Sequence, residues 1–449
     1  MELARQASER IRRLNVSEHV SVNAAKFSIS IEPVRTERVF RCGEPAEMWI
    51  RVTDEAGKPA DSGRLSLHFQ NDFGTTVSRR ELSLSNGMPV HVSETLAQPA
   101  FLTLTAVFES ETAVYSANGE LSANGEEALT FSETAGFAFE PEKITPGQEM
   151  PSDFLPFWKG CLARQNALAD AVRLDEVVSH STGSMAIFRV TVPTLDGEYR
   201  FGWLALPKKK PGPFPAIVMV PGAGPGSGPV RSRVSKGTAV LVLNVFPYPA
   251  DLDPARRRVQ FEDFEREQCG GRRYVWKNAE DRETYFHRNS ILAACRAVEF
   301  LASMPEVDAS RIGFSGVSQG GFYGLALAAL SPHLSAVVSS IPGYCDHGAA
   351  FAGRAPGGSK LYENVHDPAV LRVGPYFDGV NFARFVRTPI RMTVGFRDPV
   401  CDPSTVYAAF NQIPANDKAV AHELLLGHET GEKHSLAQEW LRQRLGIPE

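Results

Sequence analysis

A small all-β unit followed by a doubly wound, mostly parallel α/β sheet is the fold this sequence predicts. Two kinds of periodicity and one glycine-framed serine predict it. From Lys26 to about Phe139 apolar and polar residues alternate in short runs, the period of strands with one buried face. Beyond Pro141 the alternation gives way to mostly apolar runs separated by helical stretches, as in parallel strands covered on both faces. Among those runs stands Gly316-Val317-Ser318-Gln319-Gly320-Gly321, a serine with glycine two positions to either side.

In the first half, Phe27-Ser28-Ile29-Ser30-Ile31, Arg64-Leu65-Ser66-Leu67-His68-Phe69 and Phe101-Leu102-Thr103-Leu104-Thr105 each read as a strand with one apolar face. Turn signals at 54–57, 71–74, Asn86-Gly87 and Asn118-Gly119 separate them, which suits about seven or eight strands. An immunoglobulin-like sandwich over residues 26–140 is therefore expected, behind an N-terminal segment 1–25. A Pro- and Gly-rich linker, 141–152, leads to a helix beginning at Asp153-Phe154-Leu155-Pro156-Phe157-Trp158. In the unit 153–449 the apolar runs 216–220, 239–245, 336–341, 390–396 and 422–426 are the expected parallel strands. A shorter buried strand, 311–315, precedes the serine and a helix, 322–330, comes after it. The stretch 288–304 carries Ile291, Ala294, Cys295, Val298, Leu301 and Ala302 on one helical stripe.

Composition limits what such a chain does. With 449 residues, 43% hydrophobic and 22% charged, it is long enough for two or three domains of ordinary globular character. A formal charge of −5 without a long basic run leaves no electrostatic footprint for nucleic acid. Arg256-Arg257-Arg258 is followed by Glu262, Asp263, Glu265 and Glu267, which reads as a self-compensating helix face. No stretch approaches the ~18 apolar residues of a membrane span. The first 25 residues, with Glu2, Arg5, Glu9, Arg10, Arg12 and Arg13, are too charged for a signal peptide. The expected setting is the cytoplasm, or a secreted or periplasmic one reached by a leader already removed. Six cysteines without a C-x-x-C pair read as buried thiols, with a disulfide involving Cys345 or Cys401 left open.

The serine gains meaning from residues placed just past other strands. A G-x-S-x-G turn between strand and helix exposes its serine at a sharp elbow, where neighbours two positions away must be almost free of side chain. In doubly wound sheets function gathers at the carboxyl ends of strands. Asp398 comes after the run 390–396 and His428 after the run 422–426, so nucleophile, acid and histidine occur in the chain order of α/β hydrolases. A hydroxyl attacks well only when a neutral imidazole takes its proton, and a buried carboxylate must hold the other ring N–H. Ser318, His428 and Asp398 are assigned those roles; His422, His434 and Asp402 are the nearby rivals. The oxyanion donors are assigned to the backbone N–H of Gln319 and to Ala223 in the loop Pro221-Gly222-Ala223-Gly224-Pro225-Gly226. That loop lacks the Gly-Lys-Ser/Thr of a phosphate-binding loop. Such chemistry calls for no metal and no cofactor.

These residues resemble the acetyl xylan esterases and cephalosporin-C deacetylases, a carbohydrate-esterase group of α/β hydrolases. The resemblance rests on Asp153 to Trp158, Tyr285-Phe286-His287-Arg288, Ser318-Gln319-Gly320-Gly321, Tyr376-Phe377-Asp378-Gly379-Val380-Asn381-Phe382-Ala383, and Gly395-Phe396-Arg397-Asp398 with the following Pro403 to Asn411. It spans about 150–445 and implies a triad of Ser318, Asp398 and His428, an acetylated oligo- or polysaccharide substrate, and a tendency to form homo-oligomers. The front sandwich is similar to a longer form of these esterases. Two departures stand out: Pro221-Gly222-Ala223 replaces the family's H-G-Y, and Asn244 to Pro249 stands where the family has R-G-Q. Both bear on the acyl and leaving groups. One of the stretches 247–276 and 344–376 is expected to supply a lid over the serine, with Tyr274, Trp276 and Phe351 as candidates for stacking on sugar. The same fold allows a peptidase, an acyl-CoA thioesterase or acyltransferase, or a catalytically inactive carbohydrate-binding protein.

Overall fold

The computed structural model describes residues 27–72, 74–85, 87–110, 130–208, 211–230, 237–363 and 367–448. The segment 1–25, Asn86 and the Asn118-Gly119 turn signal lie outside the described residues.

Among the described residues the first unit holds β1 (Phe27–Pro33), β2 (Val39–Phe40), β3 (Ala46–Asp54), β4 (Arg64–Asn71), β5 (Thr76–Ser83), β6 (Val90–Glu94), β7 (Ala100–Glu109) and β8 (Thr130–Phe139). They form a three-stranded sheet, β1-β3-β6, and a five-stranded sheet, β2-β8-β7-β4-β5. The alternation in the sequence is the cause. In β3, Ala46, Met48, Ile50 and Val52 are buried while Trp49 and Arg51 face out. Met48 and Ile50 share one core with Leu67, Phe69, Leu104 and Phe137 of the opposite sheet, so two half-apolar sheets bury their faces against each other. Pairing is antiparallel except between β2 and β8, which run parallel.

The connection after β8 is pinned along its length. Asn411 Nδ2 donates to the carbonyls of Pro141 and Ile144 at 2.9 Å each, and Gly147 N donates to Asp346 Oδ1 at 2.8 Å. Ile144 is buried in the main core with Phe101 and Ala138 of the first unit. The expected linker 141–152 is thus part of the packed body. Further contacts cross the same seam: Phe101 meets Phe396 edge-on at 5.2 Å between centroids, and Arg397 pairs with Glu133 at 2.6 Å.

The second unit is built on β9 (Arg173–Glu176), β10 (Met185–Pro193), β11 (Tyr199–Pro207), β12 (Phe214–Val220), β13 (Ala239–Leu243), β14 (Val307–Val317), β15 (Ala336–Ser340), β16 (Ile390–Gly395) and β17 (Lys418–Glu423). They form one nine-stranded sheet in the order β17-β16-β15-β14-β12-β13-β11-β10-β9. Strands β12 to β17 run parallel, and β11, β10 and β9 add an antiparallel extension. The helices Phe286–Ser303 and Gln319–Leu330 pack their buried residues into the main core. On the other face Leu441 and Leu445 meet Ile217 and Val338. Continuous apolar sequence has its structural counterpart here: every residue of β13 and β15 is buried.

Two expectations need correction. The last strand is Lys418–Glu423 and not 422–426: it lies at the sheet edge, where most of its residues are half-exposed, while Leu424 to Leu426 turn away beyond it. The strand before the serine is the longer Val307–Val317. The stretch 247–276 is an ordered excursion containing the helix Pro254–Gln268, whose Phe264 is buried, and much of 344–376 is buried as well. No helix among the described residues is long and apolar enough to cross a membrane.

Candidate active site

Strand β12 is where the winding reverses, since β13 lies on one side of it and β14 on the other. A crevice at the carboxyl edge belongs at such a point. The loop after β12 and the turn after β14 meet there. Ser318 stands alone between β14 and the helix Gln319–Leu330, with φ 58° and ψ −121°. Holding an L residue in so sparsely populated a conformation costs on the order of 1–3 kcal/mol. The elbow closes because its glycines lack side chains: a Cβ on Gly316 would stand 2.2 Å from the Gly320 carbonyl oxygen, and one on Gly320 would stand 2.1 Å from that of Val220. Ser318 N donates to Ser340 O, and Gly343 N to Ser318 O, both at 3.0 Å.

The structure brings Ser318, His428 and Asp398 together in file. His428 Nε2 lies 3.0 Å from Ser318 Oγ, and its Nδ1 lies 2.9 Å and 3.1 Å from the two carboxylate oxygens of Asp398. The carboxylate is fully buried, whereas the imidazole keeps a quarter of its surface. Val400 N and Cys401 N donate to Asp398 Oδ1 at 2.8 and 2.9 Å, which fixes the carboxylate's direction. With Nδ1–H held by Asp398, the Nε2 lone pair faces the serine hydroxyl.

The rival residues are engaged elsewhere. His422 Nε2 meets the Tyr407 hydroxyl at 2.5 Å, and burial lowers its pKa. His434 Nδ1 meets Ser340 Oγ at 2.8 Å. Asp402 caps the helix Pro403–Gln412 by accepting from Ser404 N and Ser404 Oγ at 3.1 and 3.0 Å, and burial raises its carboxyl above the ordinary range.

The loop expected to supply the second oxyanion donor borders the serine: a Cβ on Gly222 would stand 3.9 Å from Ser318 Cβ. Ala223, next in the chain, is exposed. Gln319 is 1% exposed, and its side chain is held by hydrogen bonds. The Tyr274 hydroxyl donates to Gln319 Oε1 at 2.5 Å and Gln319 Nε2 donates to the Pro221 carbonyl at 3.3 Å. Tyr274 is therefore not a sugar platform: it is 2% exposed inside a cluster with Phe246, Phe261 and Phe286. Trp276 is half-buried against the core with the Arg272 guanidinium 4.9 Å from its ring, and Phe351 is 60% exposed.

One further side chain was not legible in the sequence. The Cys401 thiol is hydrogen-bonded to Ser318, and burial pushes it far up from its ordinary pKa while that bond pulls the other way. Asp398, Cys401 and His428 also offer one metal-ligating atom each within 4.8 Å of one another, the one such group among the described residues. Their hydrogen bonds already account for the arrangement. All six cysteines are free, so the disulfide left open for Cys345 or Cys401 is absent.

Fold and site together define a carboxylester hydrolase of the α/β type. The family model described as acetyl xylan esterase (AXE1) matches residues 140–443, and the chain belongs to that family. It is 26% identical to the acetyl esterase Axe7A of Xylanibacter ruminicola over 417 residues, covering 92% of this chain and 90% of the relative. The acetyl xylan esterase of Paenibacillus sp. R4 superposes with a TM-score of 0.57 at 26% identity, covering 69% of this chain and 99% of that one. Acetyl xylan esterase 1 from Thermoanaerobacterium sp. JW/SL YS485 shares the fold with a TM-score of 0.59 at 24% identity, covering 68% and 98%. A rat mitochondrial acyl-coenzyme A thioesterase 2 is 32% identical over 149 residues, which cover 33% of this chain and 26% of the thioesterase.

Proposed function

We propose that the protein is a serine esterase that removes O-acetyl groups from an acetylated oligo- or polysaccharide through an acyl-enzyme, with Ser318, His428 and Asp398 as its triad. The observation that carries this reading is the hydrogen-bonded file, 3.0 Å from Ser318 Oγ to His428 Nε2 and 2.9 Å from Nδ1 to Asp398. His428 takes the hydroxyl proton as Ser318 Oγ adds to the acetyl carbonyl, and Asp398 stabilises the imidazolium that forms. The N–H groups of Gln319 and Ala223 receive the oxyanion. The imidazolium then protonates the departing sugar oxygen, and water, deprotonated by the same imidazole, releases acetate. Family membership and the likeness to Axe7A over 92% of the chain favour carbohydrate esters. The thioesterase likeness is confined to a third of it. We read residues 26–140 as an immunoglobulin-like domain and 153–449 as the catalytic domain.

Ser318→Ala tests the reading on an activated acetyl ester and on acetylated xylo-oligosaccharide. A loss of about 10⁶-fold in kcat is expected, as when a triad nucleophile is removed. An unchanged rate removes Ser318 from the mechanism, and turnover of acyl-CoA far above that of the sugar ester moves the substrate class.

A further inference from the structure

The side chain of Gln319 does something its backbone role does not require. Its carboxamide joins three separate parts of the chain at the elbow. Nε2 donates to the carbonyl of Pro221 at 3.3 Å, and Oε1 accepts from the hydroxyls of Tyr274 at 2.5 Å and Tyr344 at 3.4 Å. All three side chains are buried, with 1% of Gln319, 2% of Tyr274 and 4% of Tyr344 exposed. Tyr274 comes from the excursion between β13 and the helix Phe286–Ser303, and Tyr344, held at φ 53°, from the turn after β15. Pro221 opens the loop that carries Ala223.

We propose that Gln319, through its side chain, and Tyr274 are positioning residues that lock the two oxyanion donors at a fixed separation; this rests on the esterase reading above. One donor is the N–H of Gln319 itself and the other sits two residues beyond Pro221, so a single carboxamide spans the gap between them. Stabilising a developing oxyanion needs both donors within about 2.7–3.1 Å of one point, a tolerance of a few tenths of an ångström. Backbone contact alone does not set the loop's distance from the elbow to that tolerance. Buried polar groups fully satisfied by one another resist displacement, because moving either leaves an unpaired group in low dielectric. The excursion thereby acts as a strut for the oxyanion hole, and packing against Phe246, Phe261 and Phe286 keeps Tyr274 from turning away.

The test compares wild type with Tyr274→Phe, Gln319→Glu and Tyr248→Phe. The last deletes a buried phenol oxygen on the same excursion that has no hydrogen-bond partner among the described residues, and so serves as the control. For each, kcat and KM are measured on 4-nitrophenyl acetate, together with the inhibition constant of methylboronic acid, which forms a tetrahedral adduct on a serine nucleophile. Tyr274→Phe is expected to lose about 10-fold in kcat and Gln319→Glu about 10²-fold, the second at the lower edge of what one lost oxyanion donor costs. KM stays within about threefold, boronate affinity falls in step with kcat, and Tyr248→Phe matches wild type. A merely structural role would lower the melting temperature and leave boronate affinity per folded molecule unchanged. Tyr274→Phe that folds and retains both kcat and boronate affinity overturns the proposal, whether or not Gln319→Glu folds. A wild-type protein that neither hydrolyses the ester nor binds the boronate overturns the esterase reading and the strut with it.

Discussion

Replacing Gly136 by alanine tests whether the all-β unit holds the acid loop in place. Gly136 lies in β8, and a Cβ there would stand 2.0 Å from the carbonyl oxygen of Phe396 and 3.0 Å from Phe396 Cβ. Ordinary non-bonded contact begins near 3.4 Å or more, so the two backbones must separate by roughly 1 Å or more. Phe396 is two residues before Asp398, and two flanking contacts from the same unit, Phe101 on Phe396 and Glu133 on Arg397, hold the loop against the separation. The strain falls on the turn that aims the carboxylate. A misplacement of about 1 Å in a catalytic constellation costs on the order of 10²-fold. Gly136→Ala is thus expected to lower kcat on 4-nitrophenyl acetate by about 10²-fold with KM little changed, and to destabilise the fold by ~1–3 kcal/mol through overpacking. Steady-state kinetics on the purified variant, with a melting curve to establish folding, reads both. A folded Gly136→Ala protein with kcat within about twofold of wild type refutes the reasoning. If the alanine variant does not fold, Glu133→Gln takes its place: it removes the Arg397 partner without adding an atom, and a drop of about threefold or more in kcat is then the supporting result.

Two further outcomes are expected from the site and the core. His428→Ala should lose about 10⁶-fold in kcat, whereas His434→Ala, whose ring is bonded to Ser340, should stay within about threefold of wild type; a collapse in the latter would move the base. Burial depresses the pKa of His287 to about 3 and of His347 to about 4, against 6.5 for the free side chain. Around pH 5 the unfolded chain therefore binds protons that the folded one does not. The stability these neutral imidazoles allow is fully present above about 6.5 and is lost progressively as pH falls towards 3. The carboxyl of Asp378, raised to about 6 by burial, acts in the opposite direction between its ordinary value and 6. A melting-temperature series from pH 7 to 4 should fall less steeply in His287→Gln than in wild type, and equal slopes would contradict the assignment.

Local sequence carries the elbow because its geometry is local. At Gly316 and Gly320 an added Cβ would stand only 2.2 and 2.1 Å from the carbonyl oxygens of Gly320 and Val220, so no other residue type fits. Asp398 is legible for a similar reason, standing just past a mostly apolar strand. The edge of the sheet is harder to read. Lys418–Glu423 is short and mostly half exposed, so the leucines beyond it draw the expected strand too far along the chain. The extension β9 to β11 lies outside the expected strands: β9 is mostly charged and exposed, and Arg189 and Thr191 interrupt the apolar residues of β10. Tyr274 reads as a surface aromatic in a polar stretch. Its burial depends on Gln319, 45 residues away, and Cys401 likewise finds its partner in Ser318, far along the chain. Such long-range satisfaction leaves no mark in a window of neighbouring residues.

The pinned connection between the two units also constrains how this chain can change over generations. With Pro141 and Ile144 tied to Asn411 and Gly147 tied to Asp346, the units share no hinge through which either could drift. A substitution at Glu133 or Gly136 is felt at Arg397 or Phe396, beside the catalytic acid, and has to be answered there. Changes on the two sides of this seam are therefore expected to be coupled in their effects. Swapping the front unit between relatives would carry across a mismatched mould for the acid loop unless the residues on both sides of the seam travelled together.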